Sequence, residues 1–177
     1  MDPILDVVPV LVLSGSVGSG KSTIGRCVAR MLRDGDVPHG LVDHEWLAYS
    51  WPVAADDRWN ERVAAENLAC IWSNFRSAGA ERLIFFCRVL EARSLLRYVT
   101  GAIPGAAATV VQLRVPLELI RQRLSSREPE PDWYLGAASA LTGRLDASDV
   151  ADFVVENGER APDEVAAEIL GLVGWLG

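Results

Sequence analysis

Eight consecutive residues, Gly15-Ser16-Val17-Gly18-Ser19-Gly20-Lys21-Ser22, match G-x-x-x-x-G-K-[ST], the pattern of a loop that wraps phosphate. Its glycines let backbone N–H groups close around phosphate oxygens. The lysine ammonium reaches the β/γ-phosphates, and the Ser22 hydroxyl, followed by Thr23, is placed to ligate Mg²⁺. Composition sharpens the point, because Lys21 is the single lysine among 17 basic lysine and arginine residues. A planar guanidinium is too bulky for such a nest, whereas a compact ammonium fits. Val10-Leu11-Val12-Leu13 before the loop reads as a buried strand and Ser22 to Arg33 after it as a helix, the setting this motif needs. The expected ligand is a nucleotide.

A second group of chemistry-bearing residues ends the next apolar run, Leu41-Val42-Asp43-His44-Glu45-Trp46. Two carboxylates one residue apart suit phosphoryl transfer: Asp43 holds Mg²⁺ through its waters while Glu45 accepts the proton of an attacking hydroxyl. The plainer reading makes Asp43 a helix cap and Glu45 a solvated first-turn acid. His44 between them is expected to face solvent rather than act as a base. Further along, Arg121, Arg123 and Arg127 cluster near the end of a helical stretch, with Arg123 and Arg127 four apart on one face. Clustered arginine in an acidic chain implies a local anionic ligand, although cations also favour a helix C-terminus. Arg88, Arg93 and Arg97 form a third set, suited to an anionic group of an acceptor or to a solvated helix face.

The elements that must position these residues alternate. Short apolar runs at 10–14, 40–43, 82–87, 109–115 and 152–155 read as buried parallel strands, with helical stretches at 20–33, 61–77, 91–99, 117–127 and 162–174. Gly35 and Gly79 read as helix stops, and Pro116 and Pro162 as helix starts. Five strands with crossover helices make one α/β domain, residues 1–177, in three α/β/α layers over a parallel sheet. Residues 125–148, with Glu128-Pro129-Glu130-Pro131, read as a polar, proline-interrupted excursion and a candidate mobile lid. Half of the 177 residues are apolar and the net charge is −7, which argues against nucleic acid or an anionic membrane as a main partner. Cys27, Cys70 and Cys87 are far apart and read as reduced, buried thiols, and no basic signal segment opens the chain, so a cytoplasmic protein is expected.

This arrangement resembles the small P-loop kinases, the group of shikimate, gluconate, adenylylsulfate and nucleoside kinases. The likeness rests on the phosphate loop after the first strand, the acid-x-acid pair ending the second, Arg123-Leu124-x-x-Arg127 after the fourth, and a terminal polar turn. The chain is also similar to short actinobacterial proteins described as adenylylsulfate kinase-like. The resemblance implies a P-loop fold with a five-stranded parallel sheet and a short lid, with ATP and Mg²⁺ as cofactors. It implies Asp43 and Glu45 as contacts to Mg²⁺ and acceptor, Arg123 and Arg127 as lid arginines, and Arg123 near the adenine. The turn Asn157-Gly158-Glu159-Arg160-Ala161-Pro162 would lie beside the base.

Departures narrow the expectation. Leu83-Ile84-Phe85-Phe86-Cys87 lacks the third-strand aspartate of many nucleotide hydrolases, so Mg²⁺ would rest on Ser22 and Asp43. No glycine triplet follows that strand, which disfavours shikimate. A chain with one lysine, in the phosphate loop, cannot carry the Asn-Lys-x-Asp guanine motif. The segment 45–75 is the candidate acceptor site, where Trp46, Tyr49, Trp51, Arg58, Trp59 and Asn67 can stack on or hydrogen-bond a sugar, base or antibiotic ring. Core packing competes for each tryptophan. The expected activity is transfer of the γ-phosphate of Mg-ATP to a hydroxyl of a small molecule, a nucleoside, a sugar or an adenylylsulfate-like compound, by a monomer or homodimer. A nucleotide switch acting on a protein partner and an antibiotic-modifying phosphotransferase are the alternatives.

Overall fold

Val8–Gly15 forms β1, the middle strand of a five-stranded, all-parallel sheet in the computed structural model, which describes residues 7–87, 92–125, 131–146 and 150–175. The other strands are β2 (His39–Asp43), β3 (Arg82–Phe86), β4 (Ala106–Arg114) and β5 (Phe153–Glu156), in the order β2-β3-β1-β4-β5. Side chains of β1 alternate between two cores. Val8, Val10 and Val12 join Leu83 and Phe85 of β3 on one face, while Leu11 and Leu13 join Ile84 and Phe86 on the other. Burial on both faces is why the strands are unbroken apolar runs, and each such side chain contributes about 1.5–3 kcal/mol on leaving water.

Helices cover both faces. α1 (Lys21–Asp34) buries Ile24, Gly25, Val28 and Leu32 against the Leu11 face, together with Val165, Ala166, Ile169 and Leu170 of α7 (Pro162–Leu172). Gly25 permits this approach, since a Cβ there would stand 2.9 Å from the Phe86 ring. The Val10 face is covered by α3 (Glu61–Ser77), through Ala64, Leu68 and Trp72, and by Val99 and Ala102 of α4 (Ala92–Ala102). The neighbours β1 and β3 therefore send their following helices to opposite faces. In open parallel sheets ligands bind where that happens, at the carboxyl ends of the strands.

Several expectations are refined by the structure. β4 begins at Ala106, because Ala106-Ala107-Ala108, poor strand formers alone, pair with Val8-Pro9-Val10 of the central strand. A one-turn helix, α2 (His44–Leu47), starts at the end of β2. Much of the 125–148 excursion is helical: α6 spans Pro131–Asp146, and its Leu135 and Ala138 pack on Ile120 and Leu124 of α5 (Leu117–Ser125) and on Val17 of the phosphate loop. Pro131 is the first residue of α6, where proline is tolerated, and not an interruption. Residues 126–130, Arg127 included, lie outside the described residues. Of the cysteines only Cys87 is buried, while Cys27 is half-buried and Cys70 exposed on α3. Among the described residues no helix is long and apolar enough to cross a membrane.

Candidate active site

The phosphate loop leaves β1 at Gly15 and enters α1 at Lys21. Gly20 caps the helix at φ 92°, a left-handed conformation that favours glycine, and no side chain caps α1. A Cβ on Gly20 would stand 2.6 Å from Asn157 Nδ2, and one on Gly15 would stand 2.5 Å from Ser19 Oγ. Lys21 Nζ donates to the carbonyls of Gly15 at 2.9 Å and Ser16 at 3.0 Å, so the ammonium is folded over the loop. The N-terminus of α1, with Ser22 and Thr23 in its first turn, points its partial positive charge at this loop.

Two residues from distant parts of the chain hold the loop. Asn157, at the end of β5, is 4% exposed and donates its Nδ2 to Ser19 O at 2.7 Å, while its own N–H donates to Arg114 O at 2.8 Å. Its side chain therefore anchors the phosphate loop from the β5 side. Arg123 of α5 donates to Gly18 O at 3.3 Å and to the carbonyls of Asn157 at 3.2 Å and Gly158 at 2.6 Å. One guanidinium thus joins the phosphate loop to the polar turn expected beside the base, using the fixed fork of donors that lysine lacks. Arg121, on the same helix, is exposed.

Asp43 lies at the same end of the sheet. Parallel register sets it opposite Phe86, which pairs with Leu13, two residues before the phosphate loop. Two strand spacings amount to roughly 10 Å. Asp43 Oδ1 accepts the Glu45 N–H at 3.0 Å, so the carboxylate does cap α2, as the plainer reading held, while Glu45 is exposed. Cys87, which follows β3, reports on the surroundings. Burial pushes its thiol up to about 12, the Lys21 charge acts to lower it and the Asp43 charge to raise it.

His44 is not a solvent-facing residue. Its ring stands edge-on to Phe85 at 5.9 Å and to Tyr98 at 5.4 Å, because α2 begins directly at the strand end and turns residue 44 over the aromatic face of the sheet. The Tyr98 hydroxyl is buried with no hydrogen-bond partner among the described residues. Its pKa is raised, first by burial and then by Cys87 and Glu61. Tyr98 escaped sequence reasoning and Cys87 was read only as a buried thiol, since nothing in a lone Cys or Tyr marks which strand end it will meet.

In the 45–75 segment the tryptophans divide. Trp72 is core, and Trp46, Trp51 and Trp59 are exposed together with Tyr49. Asn60, buried and at φ 52°, donates its Nδ2 to Ala48 O at 2.9 Å, Ser50 O at 3.2 Å and Ser50 Oγ at 3.1 Å, closing residues 48–60 into a latched loop. Asn67 donates to Leu47 O at 2.8 Å, so its amide nitrogen also serves the loop. The Arg58 guanidinium lies over the Trp59 ring at 5.4 Å. Arg93 falls in the first turn of α4, and Arg88 lies outside the described residues.

This architecture recurs among solved structures. It is similar to a tunicamycin resistance protein of Deinococcus radiodurans, with 17% identity over 94% of this chain and 96% of that one and a TM-score of 0.70. The shikimate kinase of Acinetobacter baumannii, solved with shikimate, shares 18% identity over 95% of this chain and 94% of its own, with a TM-score of 0.57. The adenylylsulfate kinase of Mycobacterium tuberculosis, solved with AMPPNP and adenylylsulfate, shares 21% over 95% and 98%, again with a TM-score of 0.57. The fold is that of the small P-loop kinases. No protein-family model matches the sequence, and a comparison with curated proteins finds no match.

On that fold the predicted residues fall into two groups. Gly15 to Thr23, Arg123 and the Asn157 turn form one contiguous assembly, joined by the hydrogen bonds above. Asp43, Glu45 and Trp46 open a second region over the β2 and β3 ends.

Proposed function

We propose that the protein transfers the γ-phosphate of Mg-ATP to a hydroxyl of a small molecule. The observation that carries this reading is the register of β2, β3 and β1, which brings the Asp43 carboxylate to the same end of the sheet as the phosphate loop over which Lys21 is folded. Lys21 would exchange its two loop carbonyls for β/γ-phosphate oxygens and neutralise charge as the bond to the leaving oxygen loosens. Ser22 and Asp43 offer hard oxygen donors suited to Mg²⁺. Bound there, Mg²⁺ would supply charge neutralisation to the transferring phosphate.

In the transfer the acceptor oxygen bonds to the γ-phosphorus, the β–γ bridging bond breaks to release ADP, and the hydroxyl proton passes to Glu45. Arg123, with Arg127, acts as the lid arginine on the nucleotide side. The adenine lies beside Arg123 and the 157–162 turn. Arg58, Asn67, Arg88, Arg93 and Trp46 are the acceptor-side candidates.

The test is ADP release from Mg-ATP with and without candidate acceptors, in wild type and in Lys21→Ala. Acceptor-stimulated release lost in the variant supports a kinase. Turnover within a few-fold of wild type in Lys21→Ala refutes it, and ATP-dependent binding of a protein without acceptor-stimulated turnover would indicate a switch.

A further inference from the structure

The 46–59 loop is built inside out. Trp46 is 76% exposed, Tyr49 83%, Trp51 88% and Trp59 70%, while the polar Asn60 is 5% exposed and does the internal bonding. Scattered single apolar residues on a surface need no explanation, but four large aromatics on one short loop do. The loop is held in place: Asn60 fastens it to Ala48 and Ser50, Asn67 fastens Leu47, and Asp57 accepts the N–H groups of Glu61 at 2.8 Å and Arg62 at 3.0 Å. Because the side chain of Asn60 bonds Ser50, Trp51 and Trp59 each stand one residue from a fastened pair, on the two arms of the loop. Trp46 and Tyr49 are already in edge contact, with ring centroids 6.0 Å apart. The rings are thus presented on a preorganised frame, which lowers the entropic cost of stacking a ligand on them.

Position names the occupant. Trp46 directly follows Glu45 and sits in the turn that Asp43 caps, so the aromatic loop begins beside the candidate transfer site. Charge narrows its chemistry. From Asp43 to Arg62 the chain carries five acids, Asp43, Glu45, Asp56, Asp57 and Glu61, against two arginines. Arg62 pairs with Asp56 and Asp57, and Arg58 lies over Trp59. Against the loop itself a carboxylate or sulfate would be repelled, whereas an uncharged or cationic ring would be favoured on tryptophan faces, which leaves Arg88 and Arg93 to any anionic group elsewhere on the acceptor.

We infer that the phosphoryl acceptor is a ring-bearing alcohol whose neutral or cationic ring system stacks on the Trp46–Trp59 loop, and not a small aliphatic or cyclohexene acid. This inference rests on the kinase reading above and deepens it.

The test compares adenosine, uridine, p-nitrophenyl glucoside and kanamycin with gluconate and shikimate, as stimulants of ADP release from Mg-ATP. It is repeated with the Trp51→Ala/Trp59→Ala variant, and circular dichroism and melting report on its fold. Stimulation by at least one ring-bearing alcohol is expected, with its KM raised tenfold or more in the double variant while kcat moves less than threefold. A Trp51→Phe/Trp59→Phe variant should recover most of the lost affinity, which a purely structural role for indole size would not allow. Stimulation by gluconate or shikimate alone overturns the inference and leaves the kinase reading intact. Stimulation by a ring-bearing alcohol that is unchanged in the double variant also overturns it. Absence of stimulation by every compound overturns the kinase reading itself, and this inference with it.

Discussion

Gly20 and Asn157 stand 137 residues apart in sequence, yet they should not be independent. Truncating Asn157 to Ala removes the amide that satisfies Ser19 O at 2.7 Å and leaves a buried carbonyl unpaired, at a cost of about 1–3 kcal/mol. Gly20→Ala carries two penalties. A residue with a Cβ at φ 92° loses about 1–2 kcal/mol, and the new methyl, 2.6 Å from Asn157 Nδ2, must push that amide off its hydrogen bond. The single variants therefore each lose the Asn157 bond, and the double variant loses it once. The double variant should be little worse than Gly20→Ala alone, with a coupling of about 1–3 kcal/mol. Urea unfolding of the four proteins measures this, and in a chain of this size each kcal/mol also lowers Tm by about 2–4 °C. ADP affinity should follow the same non-additive pattern, because the anchored carbonyl belongs to the phosphate loop. Additivity within about 0.5 kcal/mol would show that Asn157 does not hold the loop and would refute the reasoning.

The two acids should separate by isosteric substitution: Asp43→Asn keeps the α2 cap, since Asn caps as well as Asp, so any loss of Mg-dependent turnover reports the charge and not the fold. Glu45→Gln should preserve Mg-ATP binding and depress single-turnover transfer by up to about a hundred-fold, and changes below a few-fold in both variants would leave Asp43 a cap and Glu45 a surface acid. Competition titrations should show ATP bound modestly better than GTP, because a guanidinium such as Arg123 stacks on either base; tighter GTP binding would misplace the base site. Cys87 should resist alkylation at pH 8 while Cys70 reacts, as burial holds the Cys87 thiol protonated to about 12. A folded-state pKa above the ordinary 9.0 means the native state binds that proton more tightly, so its contribution is intact below pH 9 and declines as pH rises toward 12. Cys87→Ala should flatten that decline in urea melts at pH 8 to 10.5, and an unchanged slope would assign the alkaline loss to other groups.

Local pattern alone determined a good deal about this protein. The eight residues from Gly15 to Ser22 specify a phosphate loop because each does a short-range job: a left-handed turn, a close backbone approach, a compact cation. Apolar runs with glycine and proline punctuation specify strands and helices, since burial on both faces of a parallel sheet leaves no alternating signal to misread. Tertiary structure decided the rest. α6 was hidden because Pro131 resembles a break unless the helix start is known, and because its small apolar face is completed only by α5 and Val17. His44 looked exposed between two acids until α2 turned it over Phe85. Asn157 reads in sequence as part of a polar turn, and only β5, pairing with β4, brings its amide to the Ser19 carbonyl. The aromatic loop was visible as composition, but only the Asn60 latch decides that its rings face water. Periodicity is set by near neighbours, whereas the partner that satisfies a buried amide or covers a ring comes from wherever the chain returns, and strand order alone settles that.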